Sequence, residues 1–353
     1  MLTPKLKSMR MNAPEHLTIP IFCGTMEEYK EHLRSVELAA KGPGRHYRKG
    51  ITLAEFFDRF PDDAAAEEWF VAVRWPNGLI CPHCNGRKAR RVNHKTRSPF
   101  HCPECRRYFS VKTGSVMHAS NLGYRTWALA VYLLTTNIKG ISSLKLRREL
   151  GITQKSAWHL AHRIRKSWEV EQEQMVGEFE VDETFVGGLE KNKHSNKRLY
   201  PGGSNTLGKS IVAGVRQRGT GRVAAEIIPD TKGKTLQRFV KRHVAEGSTV
   251  YTDEHRGYHK LPAAAGVLHE SVSHSTKQYV NEQIHTNGLE SFWSLLKRGY
   301  VGTYHHMSAK HLHRYVNEFA GRHNDRPVDT AVQMDRIARG LVGKRLRYKD
   351  LVR

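Results

Sequence analysis

The sequence is short of acids. Its 353 residues hold 34 Asp and Glu against 58 Lys and Arg, a formal charge of +24 before any of 21 His is counted. It also lacks long hydrophobic runs. The longest, Trp127–Leu134, has eight residues, against roughly 20 needed to cross a bilayer, which argues against a membrane protein. The opening Met1-Leu-Thr-Pro-Lys-Leu-Lys has no apolar core of the kind a secretory signal requires. Cysteine is scarce, with five in all. There is no internal repeat and no low-complexity tract. Apolar residues are not scarce: at 39% they exclude a disordered polycation and allow real cores. A chain of this length has room for two or three domains. Its charge favours polyanionic partners, nucleic acid first.

The charge is unevenly placed. Residues 81–168 carry 18 basic and 2 acidic side chains, two-thirds of the whole excess, while residues 1–80 sum to zero. Residues 1–50 form an extension of uncertain order, closing on a linker rich in Gly and cations at Ala39–Gly50. Residues 51–76 read as a short helical segment. Thr52 is an N-cap with Glu55 at capping-box spacing, and Pro61 divides the stretch into two helices.

Within the basic block, Cys81-Pro-His-Cys84 is followed after 17 residues by Cys102-Pro-Glu-Cys105. Two such knuckles can close four thiolates around one structural Zn²⁺, giving a zinc ribbon over residues 77–118. Two disulfides are the other reading, but no secretory signal supports an oxidising compartment. Cys23 has no partner and reads as an ordinary thiol.

Residues 119–170 read as a helical DNA-binding region. Ser142–Glu149 is a short helix, Leu150-Gly151-Ile152 a tight turn, and Thr153 the N-cap of a longer helix. Ala157, Leu160, Ala161, Ile164 and Trp168 supply its buried stripe; Lys155, His159, His162 and Lys166 fall on a second face. This is helix-turn-helix layout, with Lys155, His159 and Arg163 as candidate DNA contacts, and a helical hairpin between domains is the alternative. Trp127–Leu134 would supply a helix packing beneath the pair. Farther along, His305, His306, His311 and His313 read as DNA-facing or packing residues, since no cysteines or acids converge there with ligand spacing.

From about residue 177 the pattern changes to strands. Glu178–Val186 alternates apolar and polar side chains, Gly208–Val215 and Arg222–Pro229 form a hairpin, Thr235–Val244 is a helix, Ser248–Asp253 a strand, and Asn281–Gly299 a helix. The order predicts a mixed α/β layer with helices on its faces. Asp182 lies in the first strand, Asp253 ends a later one, and Glu290 is on the following helix. Three carboxylates brought together could hold divalent cations for phosphoryl transfer, Mg²⁺ (or Mn²⁺) by donor type. Alone, such a spaced triple is a weak signal among 34 acids.

Several motifs then converge on one family. They are Trp75-Pro-Asn-Gly, the two Cys knuckles, Gly177-Glu-Phe-Glu-Val-Asp182-Glu-Thr, and Val250-Tyr-Thr-Asp253. With them stand His285-Thr-Asn-Gly-Leu-Glu290-Ser-Phe-Trp-Ser-Leu-Leu-Lys297-Arg298, Tyr304-His-His-Met-Ser308, Lys310–Tyr315 and Glu318-Phe319. The chain resembles the DDE transposases of bacterial insertion sequences, in the group with an N-terminal zinc ribbon and an RNase H-like catalytic core. The resemblance covers roughly residues 52–325. It implies a multidomain α/β protein whose RNase H-like domain spans residues 177–325. Asp182, Asp253 and Glu290 would be the metal-binding catalytic triad, and Lys297, with Arg298, would contact transposon-end DNA. Some members have Asn as the third ligand, and Asn287 lies one turn before Glu290, so Asn287 could be auxiliary. Residues 326–353 are left as a basic C-terminal tail.

The implied function is binding of terminal inverted repeats, metal-dependent cleavage, and joining of the freed 3′-hydroxyl to target DNA. Double-stranded DNA would be the partner, with no membrane, at least a dimer on DNA, and a bacterial cytoplasmic, nucleoid-associated location. The alternatives are a domesticated regulator that never cuts, or a stand-alone RNase H-like nuclease.

Overall fold

A computed structural model describes residues 49–92, 98–169, 173–188, 192–198, 206, 208–272 and 287–353. Residues 1–48 of the expected extension, with Cys23, lie outside the described residues, as do His285 and the rest of residues 281–286.

Two short helices, α1 (Leu53–Arg59) and α2 (Asp63–Arg74), flank Pro61 as expected. Thr52 Oγ1 accepts the Glu55 amide at 3.2 Å and the Glu55 carboxylate accepts the Thr52 amide at 2.7 Å, closing the capping box. Three minimal strands follow in antiparallel order: β1 (Arg90–Arg91), β2 (Phe100–His101) and β3 (Tyr108–Phe109). Then come α3 (Tyr124–Thr136), α4 (Ser143–Leu150) and α5 (Gln154–Arg165). Ser142 caps α4 and Thr153 caps α5, with Gly151 between them at φ 62°, a left-handed turn that favours glycine.

Phe56, Trp69, Trp127, Leu146, Leu160 and Ile164 build one core from these helices. The end of the chain completes it. Helix α10 (Thr330–Gly340) contributes Met334, Ile337 and Ala338, and Leu341 follows. Leu341 O accepts the Val116 amide and Gly114 O the Gly343 amide, each at 2.9 Å, which fastens the last residues beside the ribbon. Residues 326–353 are therefore no appended tail, a correction to the sequence reading. Met334, Ile337, Ala338 and Leu341 are spaced i, i+3, i+4, i+7, an apolar stripe masked by the surrounding cations.

A second part is built on a five-stranded sheet ordered β6-β5-β4-β7-β8. Its strands are β4 (Glu178–Val186), β5 (Ser210–Gln217), β6 (Val223–Ile228), β7 (Thr249–Asp253) and β8 (Leu268–Val272). β4, β5 and β6 pair antiparallel, while β7 runs parallel to β4 and β8 parallel to β7. Odd residues of β4, Phe179 and Val181, face a core made with α6 (Gly233–His243), including Leu236, Phe239 and Val240, and with α7 (Leu261–Ala265). Even residues face the layer of α8 (Asn287–Gly299) and α9 (Ala309–Asn324), whose core holds Phe292, Leu296 and Phe319. Period-two alternation thus separates the two faces of one strand. β8 and α9 were not foreseen as elements. Lastly, Arg165 Nε of α5 donates to Glu318 Oε2 of α9 at 2.7 Å, with both side chains almost wholly buried.

Candidate active site

The cysteine cluster has metal geometry. The four sulfurs of Cys81, Cys84, Cys102 and Cys105 lie within 4.8 Å of one another, with Cys81–Cys105 and Cys84–Cys102 each at 3.6 Å. A disulfide needs about 2.05 Å, so these are thiols. A tetrahedral Zn²⁺ with bonds of about 2.3 Å would set its ligands about 3.8 Å apart, close to what is seen. Both knuckles fold alike. Asn85 (φ 59°) and Arg106 (φ 57°) follow the second cysteine of each in the left-handed region. Cys81 N donates to Gly86 O at 2.9 Å and Cys102 N to Arg107 O at 3.0 Å. Trp75 lies edge-on to Phe100 and Phe109 beside them.

Sheet register brings two of the acids near each other. β4 and β7 pair Glu178 with Thr249, Phe179 with Val250 and Glu180 with Tyr251. The ladder ends there, two residues before Asp182 and Asp253, which share its parity and lie near enough for the Asp253 charge to act on Asp182. Asp182 Oδ2 accepts Trp293 Nε1–H at 3.0 Å, which joins β4 to α8. Asp182, Glu290, Trp293, Lys297, Arg298 and Val301 line one open cleft of ≈ 600 Å³. Glu290, Ser294 and Lys297 share a face of α8 at i, i+4 and i+7. Burial, then the charges of Glu183 and Asp253, push the Asp182 carboxyl up to about 7. Among the described residues, only the four cysteines bring three or more candidate ligands within 4.8 Å; Asp182 and Glu290 line the cleft, and Asp182, Asp253 and Glu290 do not come within that distance of one another.

Residues 61–108 match the family described as the transposase zinc-ribbon domain, and residues 174–324 the ISXO2-like transposase domain. Together they span more than half of the chain. The chain belongs to the ISXO2-like transposases with a zinc ribbon. A relative from Halobacterium salinarum, named as an uncharacterized protein in transposable element ISH50, is 28% identical over 274 residues, 74% of this chain and 90% of its own length. The catalytic core domain of BIV integrase aligns with 41% of this chain and 82% of its own at 12% identity and a TM-score of 0.27, a likeness too slight to bear on the fold.

In this transposase the candidate DNA contacts fall into two groups. Lys297 and Arg298 are exposed at the cleft. Those on α5 are taken up by the chain's own C-terminus. Arg163 is nearly buried, donating through Nε to Leu346 O at 3.2 Å and through Nη2 to His118 O at 2.7 Å. His159 Nε2 sits 3.2 Å from the same Leu346 oxygen, and Lys155 Nζ lies 4.4 Å from the ring centre of Tyr348 on the last helix, α11 (Tyr348–Val352). Lys155 stays exposed; Arg163 holds backbone. His162 corrects the expected polar face: it is fully buried, packed against Trp158, His311 and Tyr315. His311 thereby takes the packing role.

Two acids of this transposase's site escaped the sequence reading. Glu183 accepts the Tyr258 hydroxyl at 2.5 Å, and burial, despite that bond, raises its carboxyl pKa. Glu180, fully buried, accepts Arg216 Nη1 at 3.0 Å and the Leu289 amide of α8 at 2.9 Å. Its one sequence signal was its parity: two residues before Asp182, it must face α8.

Proposed function

We propose that this transposase binds the terminal inverted repeats of its element and performs metal-dependent DNA cleavage and strand transfer at the Asp182–Asp253–Glu290 cleft of an RNase H-like core. What supports the reading is the β4–β7 ladder, whose last pair, Glu180 and Tyr251, stands two residues before Asp182 and Asp253, together with Glu290 and Lys297 on the helix that borders the cleft lined by Asp182. The donor set suits a hard divalent cation: all three are carboxylates, and Asp182 is pressed by neighbouring negative charge that a cation would relieve. Bound Mg²⁺ (or Mn²⁺) would be held by Asp182, Asp253 and Glu290 and would stabilise charge on the attacking and leaving oxygens. Asn287, exposed at the start of α8, is the auxiliary candidate.

The chain's own groups do the rest. The Trp293 N–H fixes the rotamer of Asp182. Lys297 and Arg298 hold phosphates along the cleft rim, where contact fixes position and carries no sequence information. The α4–α5 pair would face an end sequence through the exposed Lys155, and the ribbon would hold flanking DNA. Paired ends imply at least a dimer. Asp182→Asn and Asp253→Asn, tested on the element's own ends, are expected to bind DNA as the parent does and to lose Mg²⁺-dependent nicking and strand transfer. Cleavage by both purified variants would overturn the assignment, and cleavage of branched DNA without strand transfer would point to a nuclease.

A further inference from the structure

Helix α8 carries Glu290, Lys297 and Arg298, so its placement on the sheet decides whether those groups meet the two aspartates. It is held at two points on the even face of β4. One is the Trp293 contact with Asp182. The other is Glu180, two residues back on the strand.

Glu180 has no solvent exposure. Its Oε2 accepts the N–H of Leu289, an amide of the first helical turn that has no partner inside the helix. Its Oε1 lies 3.0 Å from Arg216 Nη1 and 3.6 Å from Arg218 Nε. Arg218 in turn stacks on Tyr251 of β7, 3.8 Å from the ring centre. Arg216 passes so close to the start of α8 that a Cβ on Gly288 would meet its Nη1 at 2.2 Å. A buried carboxylate is costly unless it is paired and hydrogen-bonded, and this one is both. An apolar side chain would pack here with less cost, but it would not fix the helix in rotation. A charge-assisted bond to one amide does, and it sits where the helix dipole favours a negative group.

We propose that Glu180 is a positioning residue: it locks the first turn of α8 to β4, and so fixes the side from which Glu290 approaches Asp182 and Asp253 when a divalent cation draws the three together. This rests on the reading of those three acids as the catalytic set. Gly288 belongs to the same device, because a side chain there would push the Arg216 guanidinium out of its present place beside Glu180.

The test uses the full chain with Mn²⁺ as the probe. Glu180→Ala, Glu180→Gln and Gly288→Ala are compared by Mn²⁺ binding, by Mg²⁺ titration of strand cleavage, and by hydrogen exchange at the Leu289 amide. Loss of Glu180 is expected to weaken Mn²⁺ binding by about tenfold or more, the range for partners that orient metal ligands. Leu289 protection should fall with it, while end-DNA affinity and zinc content stay at parental values. Glu180→Gln keeps an accepting oxygen and is expected to restore much of the Leu289 protection. Unchanged Mn²⁺ affinity and unchanged Leu289 protection in a folded Glu180→Ala would overturn the proposal. Should that variant fail to fold, unchanged Mn²⁺ affinity in a Gly288→Ala variant whose Leu289 protection has fallen would do the same. Asp253→Asn separates the two readings: if it still cleaves, the catalytic assignment fails whatever Glu180 does.

Discussion

The indole N–H of Trp293 donates to Asp182 Oδ2 at 3.0 Å, and the same ring covers Gly214 of β5 so closely that a Cβ there would lie 2.6 Å from it. One aromatic side chain thus orients a candidate catalytic acid and rests on a strand position kept bare for it.

Trp293→Phe keeps most of the packing and removes the donor. Strand cleavage is expected to drop well beyond the change in stability, which should stay near the roughly 1 kcal/mol of one hydrogen bond. Single-turnover cleavage beside a thermal melt measures both. Equal rates in variant and parent would show that Asp182 needs no such orientation.

Gly214→Val should act on the same contact from the other side. Overpacking of this kind costs typically about 1–3 kcal/mol. It would also push Trp293 off Asp182, so activity and denaturant midpoint should fall together. A variant with parental stability would mean that α8 can shift outward without loss.

The cysteine cluster gives a direct count. Zinc content is expected at one ion per chain, and Cys102→Ser should lower it and expose the ribbon core of Phe100 and Phe109. Chelator-induced release, followed by tryptophan fluorescence of Trp75, is the measurement. No bound zinc in protein purified without chelator would reject the site.

His162 predicts a pH dependence. Burial first, then Arg165, His311, Arg314 and His159, hold its pKa well below the ordinary value, and burial with Arg326 lowers His323 to about 4. Both are therefore neutral in the folded chain and take up protons on unfolding near pH 6. Their stabilisation is full above about 6.5 and is lost as pH falls, through about 4 for His323, at roughly 1.4 kcal/mol per unit for each group. Urea midpoints between pH 7.5 and 5 should decline, and His162→Phe should flatten that slope. A slope unaltered in the variant would show that His162 is not the group responsible.

Much of this was legible in the sequence because it is local. Capping at Thr52 and Thr153, the break at Pro61, the Cys knuckles and the alternation of Glu178–Val186 all depend on neighbours within a few residues. The 71-residue gap between Asp182 and Asp253 was visible too, yet only the strand pairing shows that 71 is also the offset that joins Glu178 to Thr249. What stayed hidden depends on distant partners. Glu180 looked like one more polar residue in an alternating strand until Arg216 and Leu289 closed around it. Arg163 and His162 sat on a basic helix, and nothing local marks that Leu346 and His311 would bury them. The stripe of α10 was overlooked because its apolar residues alternate with Arg and Asp.

The contribution of Met334, Ile337 and Leu341 to the core of α2, α3 and α5 bears on the order in which the molecule can be made. A nascent chain emerges N-terminus first, and domains ordinarily fold as they leave the ribosome. Here the first core to be synthesised waits for side chains that are among the last to be translated. A polypeptide stopped short of residue 341 would carry the ribbon ligands and all three candidate catalytic acids, and still lack the segment that closes the core of α2, α3 and α5.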